Sequence, residues 1–208
     1  MGRATARAPI EKTGALNVPL FRLLVEQLDG DRRSVVLDLG AVSSPMLSLL
    51  AGSHCRVEIA DLASDGGIER MNSATPGEDD LVQMAEALLP KHRAGADDAV
   101  DVVFCWDLPN YLKPEAMSAM MNAIAARARP GARAHALIVY SERSMPDRPG
   151  RFVPTEDLKL VDRSGPLAQI QAPRYSPESL GRIMGRFTID QGRLLANGMQ
   201  EFLFRLPA

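Results

Sequence analysis

The run Val100 to Trp106 (VDVVFCW) constrains the fold more than any other part of the chain. It is continuously apolar apart from Asp101, the pattern of a strand in a sheet covered on both faces. Such sheets are parallel, and parallel strands need crossover helices between them. The flanking sequence supplies both. Ser34 to Leu39 (SVVLDL) reads as a strand ending at Gly40, followed by a helical stripe through Met46, Leu49 and Leu50 that stops at Gly52. Arg56 to Ala60 (RVEIA) reads as a second strand ending at Asp61. On the other side, Pro114 suits the first turn of a helix whose stripe runs Met117, Met120, Met121, Ile124, Ala125 and Ala128, with Pro130-Gly131 as its stop. Ala134 to Tyr140 (AHALIVY) is a further strand.

The first sixteen residues read as a flexible segment, leaving 17–208 as one domain. Phe21, Leu24, Val25 and Leu28 recur at helical spacing, with Asn17 as cap and Gly30 as stop. Residues 61–80 are acidic and contain glycine, which predicts loop and a poor helix. Leu81 to Met84 fits a third strand, and a helix through Leu81, Met84, Leu88 and Leu89 fits as well. Past Tyr140 the texture becomes a Pro- and Arg-rich loop, up to a short helix near Pro177 to Met184. Phe187 to Leu195 and Glu201 to Leu206, joined by Ala196-Asn197-Gly198, form a hairpin pattern. The predicted fold is therefore α/β: a doubly wound, mostly parallel sheet with a C-terminal antiparallel hairpin, its ligand crevice at the carboxyl ends of the first strands. Val36, Leu37, Ile59, Val102, Phe104, Leu137 and Val139 should be buried.

Composition narrows the function. The 208 residues suit one domain with a sizeable core, and 46% apolar with 24% charged residues is ordinary for a globular chain. A formal net charge of -2 supplies no basic field for nucleic acid or an anionic membrane. Cys55 and Cys105 stand far apart, and His54, His92 and His135 are scattered, so neither a metal site nor a disulfide framework is read, and a reducing cytoplasm is the expected home. No apolar stretch approaches the roughly 20 residues that span a bilayer, and no targeting segment is evident.

VVLDLGAVSSPMLSLLA, RVEIADL, LVQMAEALLP, VDVVFCWDLPNYLKPEAM and ARARPGARAHALIVYS together resemble a class I S-adenosylmethionine-dependent methyltransferase, from about residue 34 to 141. The terminal hairpin resembles that family's reversed last strand. The resemblance implies S-adenosylmethionine as cofactor, bound at a turn of the pattern acid-x-Gly-x-Gly-x-Gly. Here Asp38, Gly40 and Ala41 stand in that turn, with Val42 and Ser44 in the other two glycine places. It further implies a ribose-binding carboxylate at Asp61 with Leu62 beside it, an adenine-side position at Ala85-Glu86, and a methyl-transfer cleft along Trp106 to Tyr111. The Asn-Pro-Pro-aromatic signature of nucleic-acid methylation is missing there, so a small-molecule acceptor is implied, although a protein partner stays open. Asp107 is the candidate general base, and Asn110, Tyr111 and Tyr140 the candidate acceptor pocket.

Each of these positions also has a structural role to weigh. Asp38 can orient its turn, Trp106 and Tyr111 can be core, and the methionine stripe reads as packing. The arginines at 127, 129, 133, 143, 148 and 151 read as a solvated face. A β-branched Val42 fits poorly at φ > 0, which predicts an altered turn in which Pro45 biases Ser44 to an extended conformation. Two functions stay open: a methyltransferase, and a methyltransferase-fold module that binds or regulates without catalysis.

Overall fold

The computed structural model describes residues 14–30, 32–64, 66–74, 78–91 and 96–208. The expected flexible segment over 1–16 lies largely outside them, as does His92. Six strands form one sheet: β1 (Ser34–Asp38), β2 (Cys55–Ile59), β3 (Val100–Trp106), β4 (Ala128–Val139), β9 (Thr188–Leu194) and β10 (Met199–Arg205). Their order is β2-β1-β3-β4-β10-β9, parallel from β2 to β4 and antiparallel thereafter. This is the doubly wound sheet with a terminal hairpin that the sequence predicts.

Strand alternation divides the core between the two faces. Val35, Leu37, Val103 and Cys105 pack beneath α4 (Glu78–Leu88), α5 (Pro114–Ala126) and α6 (Pro177–Ile183). Val36, Val102, Phe104 and Trp106 pack on the other face with α1 (Pro19–Glu26) and α2 (Ser44–Ala51). Met117, Met120 and Met121 are wholly buried, so the methionine stripe is core. Ile59 and Val139 are only half-buried, contrary to expectation, because β2 is the sheet edge and Val139 ends its strand. Among the described residues, no helix is long and apolar enough to cross a membrane.

The remaining elements depart from the sequence reading in instructive ways. Leu81 to Met84 lies in helix α4, so the strand alternative falls. Asn17 does not cap α1. Val18 is the N-cap residue, and Glu201 of β10 accepts hydrogen bonds from Leu20 N (3.1 Å) and Phe21 N (2.7 Å). Pro130-Gly131 does not stop a helix: α5 ends at Ala126, and the pair lies in β4, where the register jumps from Val100↔Ala128 to Val102↔Arg133. Gly131 takes φ +86° in that bulge, and its N–H donates to Leu206 O at 2.9 Å. Ala128 is accordingly a strand residue.

The predicted loop after Tyr140 carries four three-residue strands. β5 (Ser144–Pro146) pairs with β8 (Gln169–Gln171), and β6 (Phe152–Pro154) with β7 (Leu160–Asp162), both antiparallel. This insert hangs over the carboxyl ends of the parallel strands and forms one wall of the site.

Candidate functional site

A cleft of about 1160 Å³ opens at the carboxyl ends of β1 and β3. Gly40, Ala41 and Val42 form one side, from the turn after β1. Asp61 and Ser64 form another, after β2, with Glu69 and Asn72 from α3 (Gly67–Ser73). Cys105 to Leu108 and Asn110-Tyr111 make the floor, and Asp147 to Arg151 with Ile170 to Arg174 close the insert side. Pockets for drug-sized ligands span about 300–1,000 Å³, so there is room here for more than one small molecule.

The turn after β1 is shaped by Trp106. This residue has φ +51°, one of two non-glycine residues with positive φ among those described. Its Nε1 donates to Asp38 Oδ1 at 2.6 Å, and its ring lies over Gly40. A Cβ on Gly40 would stand 2.5 Å from Trp106 Cδ1, so glycine is required there to admit the indole. Asp38 also accepts from Gly40 N at 2.9 Å. Burial pushes its carboxyl up to about 6, against the pull of those two donors. Val42 is exposed and is not a positive-φ residue, so its β-branched side chain is not forced into the left-handed region. The extended residue before α2 is Ser43 (φ -135°), not Ser44. Ser43 is the N-cap, and its Oγ accepts from Met46 N at 3.3 Å.

The floor is held by buried polar groups. Asp107 Oδ2 accepts from Gly150 N at 2.9 Å, which ties the exit of β3 to the insert. Asn110 lines the cleft, yet its side chain is committed to backbone: Nδ2 donates to Asp107 O and Leu137 O, both at 2.8 Å, and Oδ1 accepts from Val139 N at 2.9 Å. Burial raises the Cys105 thiol to about 12, so it is no thiolate nucleophile near neutrality. The Tyr111 hydroxyl is likewise pushed above the usual phenol range, chiefly by burial. Phe152 stacks on Trp106 with ring centroids 6.0 Å apart, so insert and turn meet at the indole.

The structure brings Gly40, Ala41, Asp61, Trp106, Asp107, Asn110 and Tyr111 to one cleft. It does not bring the others. Asp38 is buried behind the turn. Leu62 is a core residue whose carbonyl receives Gly67 N. Ala85 faces the core from α4, and Glu86 points to solvent on the same helix. Tyr140 is 56% exposed and lies outside the cleft wall. The arginines are not one solvated face. Arg127 pairs with Glu58, Arg129 with Asp101, and Arg148 and Arg151 line the cleft. Sequence reasoning missed Glu69, Asn72 and Arg174. The only local signal for the last was the Arg-rich texture of the insert. Among the described residues, no group of three His, Cys, Asp or Glu side chains could hold a metal ion.

The fold is shared with solved methyltransferases that hold S-adenosyl-L-methionine or S-adenosylhomocysteine. The chain is similar to the 1,6-didemethyltoxoflavin-N1-methyltransferase of Burkholderia thailandensis, solved with 1,6-didemethyltoxoflavin and S-adenosylhomocysteine bound: 17% identity over 91% of this chain and 77% of that one, TM-score 0.50. It is similar to the glycopeptide N-methyltransferase MtfA in complex with S-adenosyl-L-methionine, at 15% identity over 97% of this chain and 100% of that one, TM-score 0.50. A protein of Pyrococcus horikoshii aligns at 10% identity over 90% of this chain and 88% of that one, TM-score 0.51. No family model and no curated protein matches the chain. At these identities the likeness establishes the fold.

Proposed function

We propose that the protein is an S-adenosylmethionine-dependent methyltransferase acting on a small-molecule acceptor, built as one domain over 17–208 and working in the cytoplasm. The observation that carries this reading is the roomy cleft at the carboxyl ends of β1 and β3 with the Asp61 carboxylate in its wall. Asp61 Oδ1 accepts from Ser64 N at 3.0 Å, which leaves Oδ2 to face ligand hydroxyls. That donor set suits the ribose of an adenosyl group, because a carboxylate can accept from vicinal hydroxyls in charge-assisted bonds. The fit is less open at the turn, where Trp106 covers Gly40. Two similar structures holding S-adenosylhomocysteine or S-adenosyl-L-methionine add support.

The cofactor would supply an electrophilic methyl group on a sulfonium. The residues of this chain bind and orient. Asp61 would hold the adenosyl end, and Asp107 fixes the insert over the floor through Gly150, which sets the position of the wall that an acceptor would meet. Asp107 lines the cleft floor, and its carboxylate is the one assigned to take a departing acceptor proton.

Asp61→Ala is expected to weaken S-adenosylhomocysteine binding by about 1.5 to 3 kcal/mol, the worth of hydrogen bonds to a charged group. Calorimetric titration of the purified chain with S-adenosylmethionine, S-adenosylhomocysteine and NAD tests the reading directly. Binding of neither adenosyl compound would overturn it. The indole over Gly40 favours a second reading, a methyltransferase-fold module without catalysis. That reading predicts adenosyl binding weak or absent in the parent chain.

A further inference from the structure

The cationic side chains of the cleft gather on one wall. Arg148, Arg151 and Arg174 lie on the insert side together with Asp147, whereas Asp61 and Glu69 lie on the side of β2 and α3 and Asp107 in the floor. Arg148 has Asp147 at 3.6 Å. Among the described residues, neither Arg151 nor Arg174 has an acidic side chain within ion-pair distance, although Arg32, Arg56, Arg127 and Arg129 all do.

Both unpaired arginines rise from anchored backbone. Arg151 N donates to Ser164 Oγ at 2.8 Å and Asp162 Oδ1 at 3.2 Å, and its carbonyl receives Arg163 N at 2.9 Å. Arg174 is bracketed by Ala172, whose N–H donates to Arg143 O at 3.0 Å, and by Tyr175, whose hydroxyl donates to Pro109 O at 2.9 Å. Both side chains are exposed at the cleft wall, so their guanidinium groups are open to an incoming anion. Their planar forks match the oxygens of a carboxylate or phosphate.

We propose that the acceptor carries an oxyanion, a carboxylate or phosphate, held by Arg151 and Arg174 on the insert wall of the cleft. This rests on the methyltransferase reading and names the substrate class of the same site. The cofactor's own amino-acid carboxylate has the same chemistry, so the test must separate the two sources.

The 208-residue chain, saturated with S-adenosylhomocysteine, is titrated with benzoate, phenyl phosphate and the neutral benzamide. At least one anion is expected to bind about tenfold more tightly than the amide, and the Arg151→Gln/Arg174→Gln variant to lose that preference, a difference of about 1.4 kcal/mol. Equal binding of anions and amide, no binding of either anion, or a preference that survives in the variant overturns the proposal. In a second arm, parent and variant are titrated with S-adenosylhomocysteine and with 5′-methylthioadenosine, which lacks the amino-acid part. Equal effects on both support the acceptor assignment. A tenfold loss confined to S-adenosylhomocysteine assigns the arginines to the cofactor and overturns it, by the same conversion of about 1.4 kcal/mol. Repeating the anion titration without adenosyl ligand keeps the two readings apart. An anion preference in a chain that binds no adenosyl compound sinks the methyltransferase reading and leaves the anion site standing.

Discussion

Replacing Glu201 with alanine is expected to lower stability by about 3 to 5 kcal/mol, the cost of removing the acceptor from a buried polar cluster. Glu201 is completely buried on β10. Its oxygens receive the first N–H groups of α1, and Oε1 lies 2.9 Å from His135 Nε2 on the neighbouring strand. Helix starts leave such N–H groups without partners, and α1 has no side-chain cap of its own. The alanine variant would strand both helix donors and the imidazole at once. Glu201→Gln keeps a carbonyl oxygen and should lose about half as much. Urea unfolding of the three proteins measures this, and an alanine penalty below about 1 kcal/mol would contradict the assigned role.

The second large effect is a pH dependence. Burial holds the Asp38 carboxyl at about 6, above the ordinary aspartate value of about 3.9. The folded state therefore binds an extra proton between those values. The resulting stability is complete below about pH 4 and is lost as pH rises through about 6. A separation of about two pH units corresponds to about 3 kcal/mol. Asp38→Asn keeps an oxygen acceptor for Trp106 and Gly40 and removes the titration. Between about pH 4 and pH 7, the parent is expected to lose about 2 kcal/mol relative to that variant, and a constant difference across the range would contradict the reading. Comparing parent with variant cancels the titration of carboxylates that do not interact with Asp38.

The parts of the fold written in local pattern were legible before the structure. β1, β3, α5 and the terminal hairpin announce themselves by runs of apolar residues, helical spacing and an Asn-Gly turn, each complete within a short window. What stayed hidden was settled at long range. The cap of α1 comes from a residue 181 positions away, which no local pattern around Asn17 can reveal. Pro130-Gly131 has the chemistry of a helix stop, and only the pairing of β4 with β3 turns it into a bulge. The strands of the insert are three residues long, too short for any period to show. For the site, the residues nearest β1, β2 and β3 were legible because strand ends point to a crevice. Ala85, Glu86 and Tyr140 were not, since which way a helix or strand end faces depends on its packing partners. The arginines of the insert looked like surface because a charge run carries no mark of the cavity it rims.

Trp106 is the chain's only tryptophan, and it bonds to Asp38 below the turn while stacking on Phe152 of the insert. The molecule thus carries its own optical gauge, with no label to attach. A ligand that displaces the turn changes the carboxylate beside the indole nitrogen, and one that lifts the insert removes the ring stacked on its face. The first should shift the emission maximum through the local field, and the second should alter intensity through solvent access. Any titration of this cleft can be followed in the protein's own light, with each event leaving a distinct spectral trace.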